Sequence, residues 1–154
     1  MAELREYLPA DFKQLLALDQ QCFPKEIAYS AAELGYYLRS PGAICLLAME
    51  QEKTIGFILG DRTRQSAGHV VTLDVMEASR KSGIGSTLMF ALEERFRAAD
   101  CTSAVLEVAV NNDAALRFYK KHGYSVLKTL RRYYPGGVDG LLMGKSLIGS
   151  QSKD

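Results

Sequence analysis

The stretch 71–85, VTLDVMEASRKSGIG, decides how this chain is read. It begins as an apolar strand, passes a polar elbow at Arg80-Lys81-Ser82, and reaches Gly83-Ile84-Gly85, where a long helix opens. Small residues leave backbone N–H groups uncovered there, and a helix start adds the positive end of its dipole. Such a place is a cradle for phosphate.

Downstream, Ile84, Leu88, Leu92 and Phe96 follow i, i+4 steps, which predicts a helix over about 83–99 with Glu93, Glu94, Arg95 and Arg97 on its other side. Ala104 to Val110 reads as a strand. A short helix capped at Asn111 or Asn112 follows and runs through Lys121, with Gly123 as its C′ residue. Tyr124–Tyr134 and Val138–Leu147 read as two strands joined across Pro135-Gly136-Gly137.

Upstream, Leu4–Leu8 alternates weakly as an edge strand, and Pro9-Ala10-Asp11 opens a helix with Phe12, Leu15, Leu16 and Leu18 toward one face. Pro24 ends that helix. Ser30 caps a second one with Glu33 at capping-box spacing, before Ser40-Pro41-Gly42 stops it. Ala43–Met49 and Thr54–Gly60 form a hairpin around Gln51-Glu52-Lys53, and His69–Val75 follows after a polar gap.

The order β-α-α-β-β-β-α-β-α-β-β implies a mixed α/β (α+β) fold. Its mixed, mostly antiparallel sheet carries helices on both faces. With 154 residues it is read as a single domain over 1–148 followed by a polar tail, 149–154. A net charge of +1 gives no global pull toward nucleic acid or an anionic membrane, so an anionic ligand must be held by local geometry. No apolar run approaches the ~20 residues that span a bilayer, and the start MAELREYLPADF does not resemble a signal peptide. Cys22, Cys45 and Cys101 are odd in number, far apart and without a CxxC. This pattern suits reduced packing thiols in the cytoplasm better than disulfides or zinc. With two histidines, His69 and His122, no metal is expected.

Three phosphate-binding patterns compete at the elbow. A P-loop needs a lysine after its last glycine, where Ser86-Thr87 stand. A dinucleotide fingerprint needs a third glycine, where Leu88 stands. Arg80-Lys81-Ser82-Gly83-Ile84-Gly85 fits the third, Arg/Gln-x-x-Gly-x-Gly/Ala. That run resembles the acetyl-CoA signature of the GNAT superfamily of N-acetyltransferases. Leu106-Glu107-Val108, Asn112, Ala114, Ala115, Phe118-Tyr119 and Gly123-Tyr124 resemble the second half of the same signature. Arg132-Tyr133-Tyr134-Pro135 with Leu141-Leu142-Met143 is similar to the tail of ribosomal-protein-alanine and N-terminal acetyltransferases. The resemblance covers about residues 1–147.

It implies a GNAT fold whose fourth and fifth strands splay apart. It also implies acetyl-CoA as co-substrate, without a metal, and attack of a neutral primary amine on the thioester. The coenzyme would lie on Arg80, Lys81, Ser82, Gly83, Ile84, Gly85 and Ser86, along Leu73-Asp74-Val75, and against Asn112. The Val75 N–H would face the carbonyl oxygen. Glu107 would be the base and Tyr119 the acid for the departing thiolate. Acceptor walls would be Phe23, Pro24, Ile27 and Tyr29 on one side, Tyr133 and Tyr134 on the other. The chain lacks the family's frequent proline near Met76-Glu77 and its tryptophan after Phe-Pro.

His122, in a last helical turn, is read as an exposed residue favoured by the dipole and not as the base. Asp74 is read as facing away from the chemistry. The implied acceptor is the N-terminal α-amine of a protein or peptide, ribosomal proteins among them. A small amine, or acyl-CoA binding without catalysis, remains as an alternative. At about pH 7.5, deprotonating an α-amine costs about 0.5 kcal/mol and a lysine about 4 kcal/mol, so one glutamate suffices for the first.

Overall fold

The computed structural model describes residues 2–62 and 66–149. The strands are β1 Glu3–Glu6, β2 Ala43–Glu50, β3 Lys53–Asp61, β4 Ala67–Val75, β5 Ser103–Ala109, β6 Ser125–Tyr134 and β7 Val138–Ser146. The helices are α1 Phe12–Cys22, α2 Ala31–Leu38, α3 Ile84–Ala98 and α4 Asp113–Lys121. The order matches the sequence expectation element for element. The tail from residue 150 onward, and part of the polar gap before β4, lie outside the described residues.

The strands form one sheet in the order β1-β2-β3-β4-β5-β7-β6. Every neighbouring pair is antiparallel except β4 and β5. A strand, a helix and a returning strand give this parallel pair, with α3 as the crossover. One apolar layer packs α3 on the sheet through Ile84, Leu88, Met89, Leu92 and Phe96. The opposite layer packs Leu15 and Leu18 of α1 and Leu34 of α2 on Leu47, Phe57 and Leu59. β2 serves both faces, Leu46 toward α3 and Leu47 toward α1, as the strict alternation of a strand requires.

Three local differences from the sequence reading have clear causes. β1 stops at Glu6 instead of Leu8, because the Leu8 N–H turns to Asp11 Oδ2 at 2.8 Å. Asp11 also holds Arg5 by two hydrogen bonds of 2.8 and 2.9 Å, and that guanidinium keeps its carboxyl below the usual range. Pro9–Asp11 forms a separate 3-10 turn ahead of α1. Glu93, expected outward, is 1% exposed. It follows Met89 by one turn onto the packed stripe, where Tyr124 Oη donates to it at 2.8 Å and Lys145 Nζ at 3.0 Å. A carboxylate tolerates burial when a cation and a hydroxyl satisfy it.

β4 carries a bulge. Thr72 pairs with Leu59 and Val70 with Gly60, which leaves Val71 unmatched. Gly68 approaches α3 so closely that a Cβ would lie 2.4 Å from the Phe96 ring. Only glycine lets the start of β4 pass beneath that side chain.

Candidate active site

Among the described residues the β4–β5 register runs over Ala67↔Ser103, Gly68↔Ala104 and His69↔Val105. Beyond His69 the two strands part, as expected of the fourth and fifth strands. The register shows which backbone groups line the opening. Met76 donates its N–H to Ile55 O at 2.8 Å, so the alternate residue Asp74 also bonds toward β3. Leu73 and Val75 therefore turn their N–H and C=O groups into the gap. Of the three residues expected along the coenzyme, Leu73 and Val75 line the gap between β4 and β5. Asp74 sends its backbone to β3 and its side chain toward α1.

The elbow is shaped by its own backbone. A 3-10 turn spans Glu77–Ser79, and the Arg80 side chain folds back so that Nε donates to Val75 O at 2.9 Å. Ser82 Oγ donates to the Ser79 carbonyl. Lys81 adopts φ +65° and Gly83 φ +88°, the left-handed conformations that swing the chain into α3. No side chain caps α3, so its first-turn N–H groups remain open to an anion. Gly85 lies beneath Phe118, where a Cβ would stand 3.3 Å from the ring. Asn112 caps α4, its Oδ1 accepting the Ala115 N–H at 3.1 Å.

Ser86 Oγ lies 2.8 Å from His122 Nε2, linking the start of α3 to the end of α4. The expected exposure of His122 is therefore corrected: it is 9% exposed. Its ring packs 4.4 Å from Phe118 and 5.3 Å from Phe90. Burial lowers its pKa, with Lys145 and Lys121 acting the same way and Glu93 opposing. The aromatic side of α4 faces α3, so the last turn is covered and not free.

Across the sheet stands Glu107, half-buried at the middle of β5. Its Oε1 lies 2.8 Å from His69 Nε2. Composition gave His69 no role beyond excluding a metal cluster. The two residues are far apart in sequence and meet because the last β4–β5 pair sets His69 beside Val105. The available signal was a histidine at the start of a largely apolar strand, on the face opposite Val70.

Tyr29 and Tyr134 lie within electrostatic reach of Glu107. Burial first, then neighbouring groups including Glu107, raise both phenols above their ordinary value. Tyr29 Oη donates to Val71 O at 3.2 Å, and its ring lies 5.5 Å from Tyr37. Tyr133 and Tyr134 meet edge to face at 4.9 Å. Phe23 closes α1 through its N–H to Asp19 O, and Pro24 O accepts from Ile27 and Ala28, making the turn that carries the first wall. The two walls approach each other, since a Cβ on Gly136 would lie 4.0 Å from Glu26 Cγ. Tyr119 packs edge-on against Phe118 and Tyr124. Burial, with a smaller contribution from Asp74, raises its pKa, so the phenol keeps its proton.

Residues 8–124 match the sequence profile of the acetyltransferase (GNAT) family. The chain is a GNAT acetyltransferase. A Methanocaldococcus jannaschii protein described as an uncharacterized N-acetyltransferase is 32% identical over 143 residues, covering 92% of this chain and 90% of that protein. An N-alpha-acetyltransferase of Sulfurisphaera tokodaii is 42% identical over 84 residues, covering 52% of this chain and 48% of its own length. The crystal structure of Ard1 from Thermoplasma volcanium superposes with a TM-score of 0.87 at 26% identity, covering 94% of this chain and 97% of that one. As a GNAT acetyltransferase, the chain is an acyltransferase enzyme. The open β4–β5 seam then separates two sets of groups. The elbow and α4 lie on one side, and Glu107, His69 and the tyrosine walls lie on the other.

Proposed function

We propose that this GNAT enzyme transfers the acetyl group of acetyl-CoA to the N-terminal α-amine of a protein or peptide. The observation that carries the reading is Glu107 paired with His69 at the seam, facing aromatic walls on the side opposite the uncapped start of α3. The pair stands where an incoming amine meets an acyl group held at the Val75 edge.

The residues present fit the coenzyme. First-turn amides of α3 and the amides from Lys81 to Ser86 suit a diphosphate. The Leu73 and Val75 edge suits an extended amide-bearing arm, which would complete the unpaired side of β4. Bound there, the coenzyme supplies an activated acyl thioester. The Val75 N–H donates to the carbonyl oxygen as charge develops on it, a contribution of about 3–4 kcal/mol in other enzymes. Glu107 takes a proton from the ammonium, directly or through water, and His69 holds its carboxylate in place. Tyr119 supplies a proton toward the sulfur. A thiol near pKa 8.5 leaves with modest help, so this last role is the smallest.

The walls support an α-amine acceptor because Tyr29, in the segment between α1 and α2, and Tyr134, at the end of β6, both come within electrostatic reach of Glu107. A groove between that segment and the β6–β7 hairpin admits the end of a chain. The reading is tested with the purified protein, acetyl-CoA and a panel of peptides that differ in their first residue. Polyamines, an aminoglycoside and N-terminally blocked lysine peptides run beside them. The expected product is a peptide acetylated at its α-amine. Turnover of the small amines alone would refute the acceptor assignment.

A further inference from the structure

The two most deeply buried carboxyl groups on the acceptor side take no part in the steps above. Asp19 of α1 is 0% exposed and Asp74 of β4 is 1% exposed. The two are neighbours around the Thr72 hydroxyl, and Asp19 raises the cost of ionising Asp74. Few donors reach them. Thr72 Oγ1 lies 2.6 Å from Asp74 Oδ1 and 3.5 Å from Asp19 Oδ1, and its one proton serves the nearer oxygen. The Tyr29 N–H donates to Asp19 Oδ2 at 2.8 Å. Asp74 Oδ2 is buried with no hydrogen-bond partner among the described residues.

Other buried acids of this chain are matched by cations, Asp11 by Arg5 and Glu93 by Lys145. Among the described residues no guanidinium or ammonium hydrogen-bonds Asp19 or Asp74. Arg80 stands near, yet its own bonds go to Val75 O and Cys22 Sγ. Two adjacent buried carboxylates cannot both ionise without large repulsion. A carboxylic acid at Asp74 removes the repulsion and gives the orphaned oxygen a proton to donate to Asp19.

We propose that Asp19 and Asp74 share a single proton at neutral pH, and that this acid–carboxylate pair is a positioning device for the acceptor wall at Tyr29. Tyr29 is held at two points: its backbone N–H by Asp19 and its phenol by Val71 O. The first point ties the loop to α1 and the second to β4, and the Asp19–Asp74 neighbourhood sets the first tie against β4 one residue before the Val75 edge. Loss of the shared proton sets two like charges against each other beneath that tie.

The groups facing the pair come from every element around it. They are Cys22 of α1, Cys45 of β2, Arg80 of the elbow, Tyr119 of α4, and Tyr29 itself. Burial, then Asp19, drives the Asp74 pKa well above its ordinary 3.8, while Thr72 and Arg80 oppose. The folded state thus binds this proton more tightly than the unfolded chain. Stability falls as pH rises from about the ordinary carboxyl value through the raised one.

The acceptor role rests on the acetyltransfer reading above, so the experiment carries readouts independent of turnover. Infrared difference spectra at neutral pH should show a protonated carboxyl band in the wild type that Asp74→Asn lacks. Asparagine still donates to Asp19 and cannot ionise. Its thermal stability should therefore gain on the wild type as pH rises. With the best peptide of the panel, Asp74→Asn should keep the acceptor KM within about twofold. Asp74→Ala, which leaves Asp19 without that donor, should raise it about tenfold with the acetyl-CoA KM unchanged. Absence of the carboxyl band overturns the shared proton. Asp74→Asn as impaired as Asp74→Ala overturns the positioning role. If no peptide is turned over, the band and the melts still decide the proton, and only the acetyltransfer reading has failed.

Discussion

Glu107 and His69 show how much a single contact adds to a sequence motif. In the sequence, Glu107 is one glutamate in a strand, pointing opposite to Leu106 and Val108. In the structure it is half-buried, oriented by a histidine at 2.8 Å, and faced by two tyrosines. General base catalysis contributes about 10²–10⁴-fold, so Glu107→Gln should lower kcat by at least about 10²-fold with little change in the acetyl-CoA KM. His69→Asn should cost less, because it removes the orienting partner and leaves the base. Steady-state kinetics on an acetylated peptide check both. Equal losses would mean that the histidine itself moves the proton.

At the scale of elements, α3 and α4 are tied by the Ser86–His122 contact, which connects the uncapped start of α3 to the helix that Asn112 caps and that bears Tyr119. Burial favours neutral His122, so its folded pKa lies below its ordinary 6.5. The unfolded chain then takes up a proton more readily than the folded one, and stability is lost as pH falls through the region just below that value. Thermal melts from pH 7.5 down to 5.5 should show the wild type losing more stability than His122→Gln. Parallel curves would place the acid sensitivity elsewhere.

Helix and strand order could be read from the chain because the local signals agree with the fold. Ser30 with Glu33, Asn112, and the four-residue steps of α3 each act within a few residues of themselves. What escaped reading depends on distant partners. Glu93 looks like one of several charges on an outer helix face until Tyr124, just before β6, and Lys145 of β7 arrive from much later in the chain. His122 looks exposed until α3 covers it. Asp19 and Asp74 meet only because α1 lies across β4, and His69 and Glu107 only because two parallel strands share a register. Polar residues at such positions carry no periodicity of their own.

For the whole molecule, the partly zipped β4–β5 pair is the defining feature. The N–H groups of Leu73 and Val75 point into the gap, so their hydrogens should exchange with solvent faster than those of Asp74. Addition of acetyl-CoA should slow both, as measured by residue-resolved hydrogen exchange. Unchanged exchange at Val75 would place the acyl arm elsewhere.

That zip is also a fulcrum. From His69 to Val75 the strand runs ~20 Å at ~3.3 Å per residue, so tilting one half of the sheet by about 3° shifts the far lip by about 1 Å. A displacement of that size between reacting atoms can cost about 10²-fold in rate. In the proposed reaction, packing at Ser103–Val105 would then set the alignment of the reacting groups at the Val75 end, and a methyl added or removed there would act through leverage at the far lip.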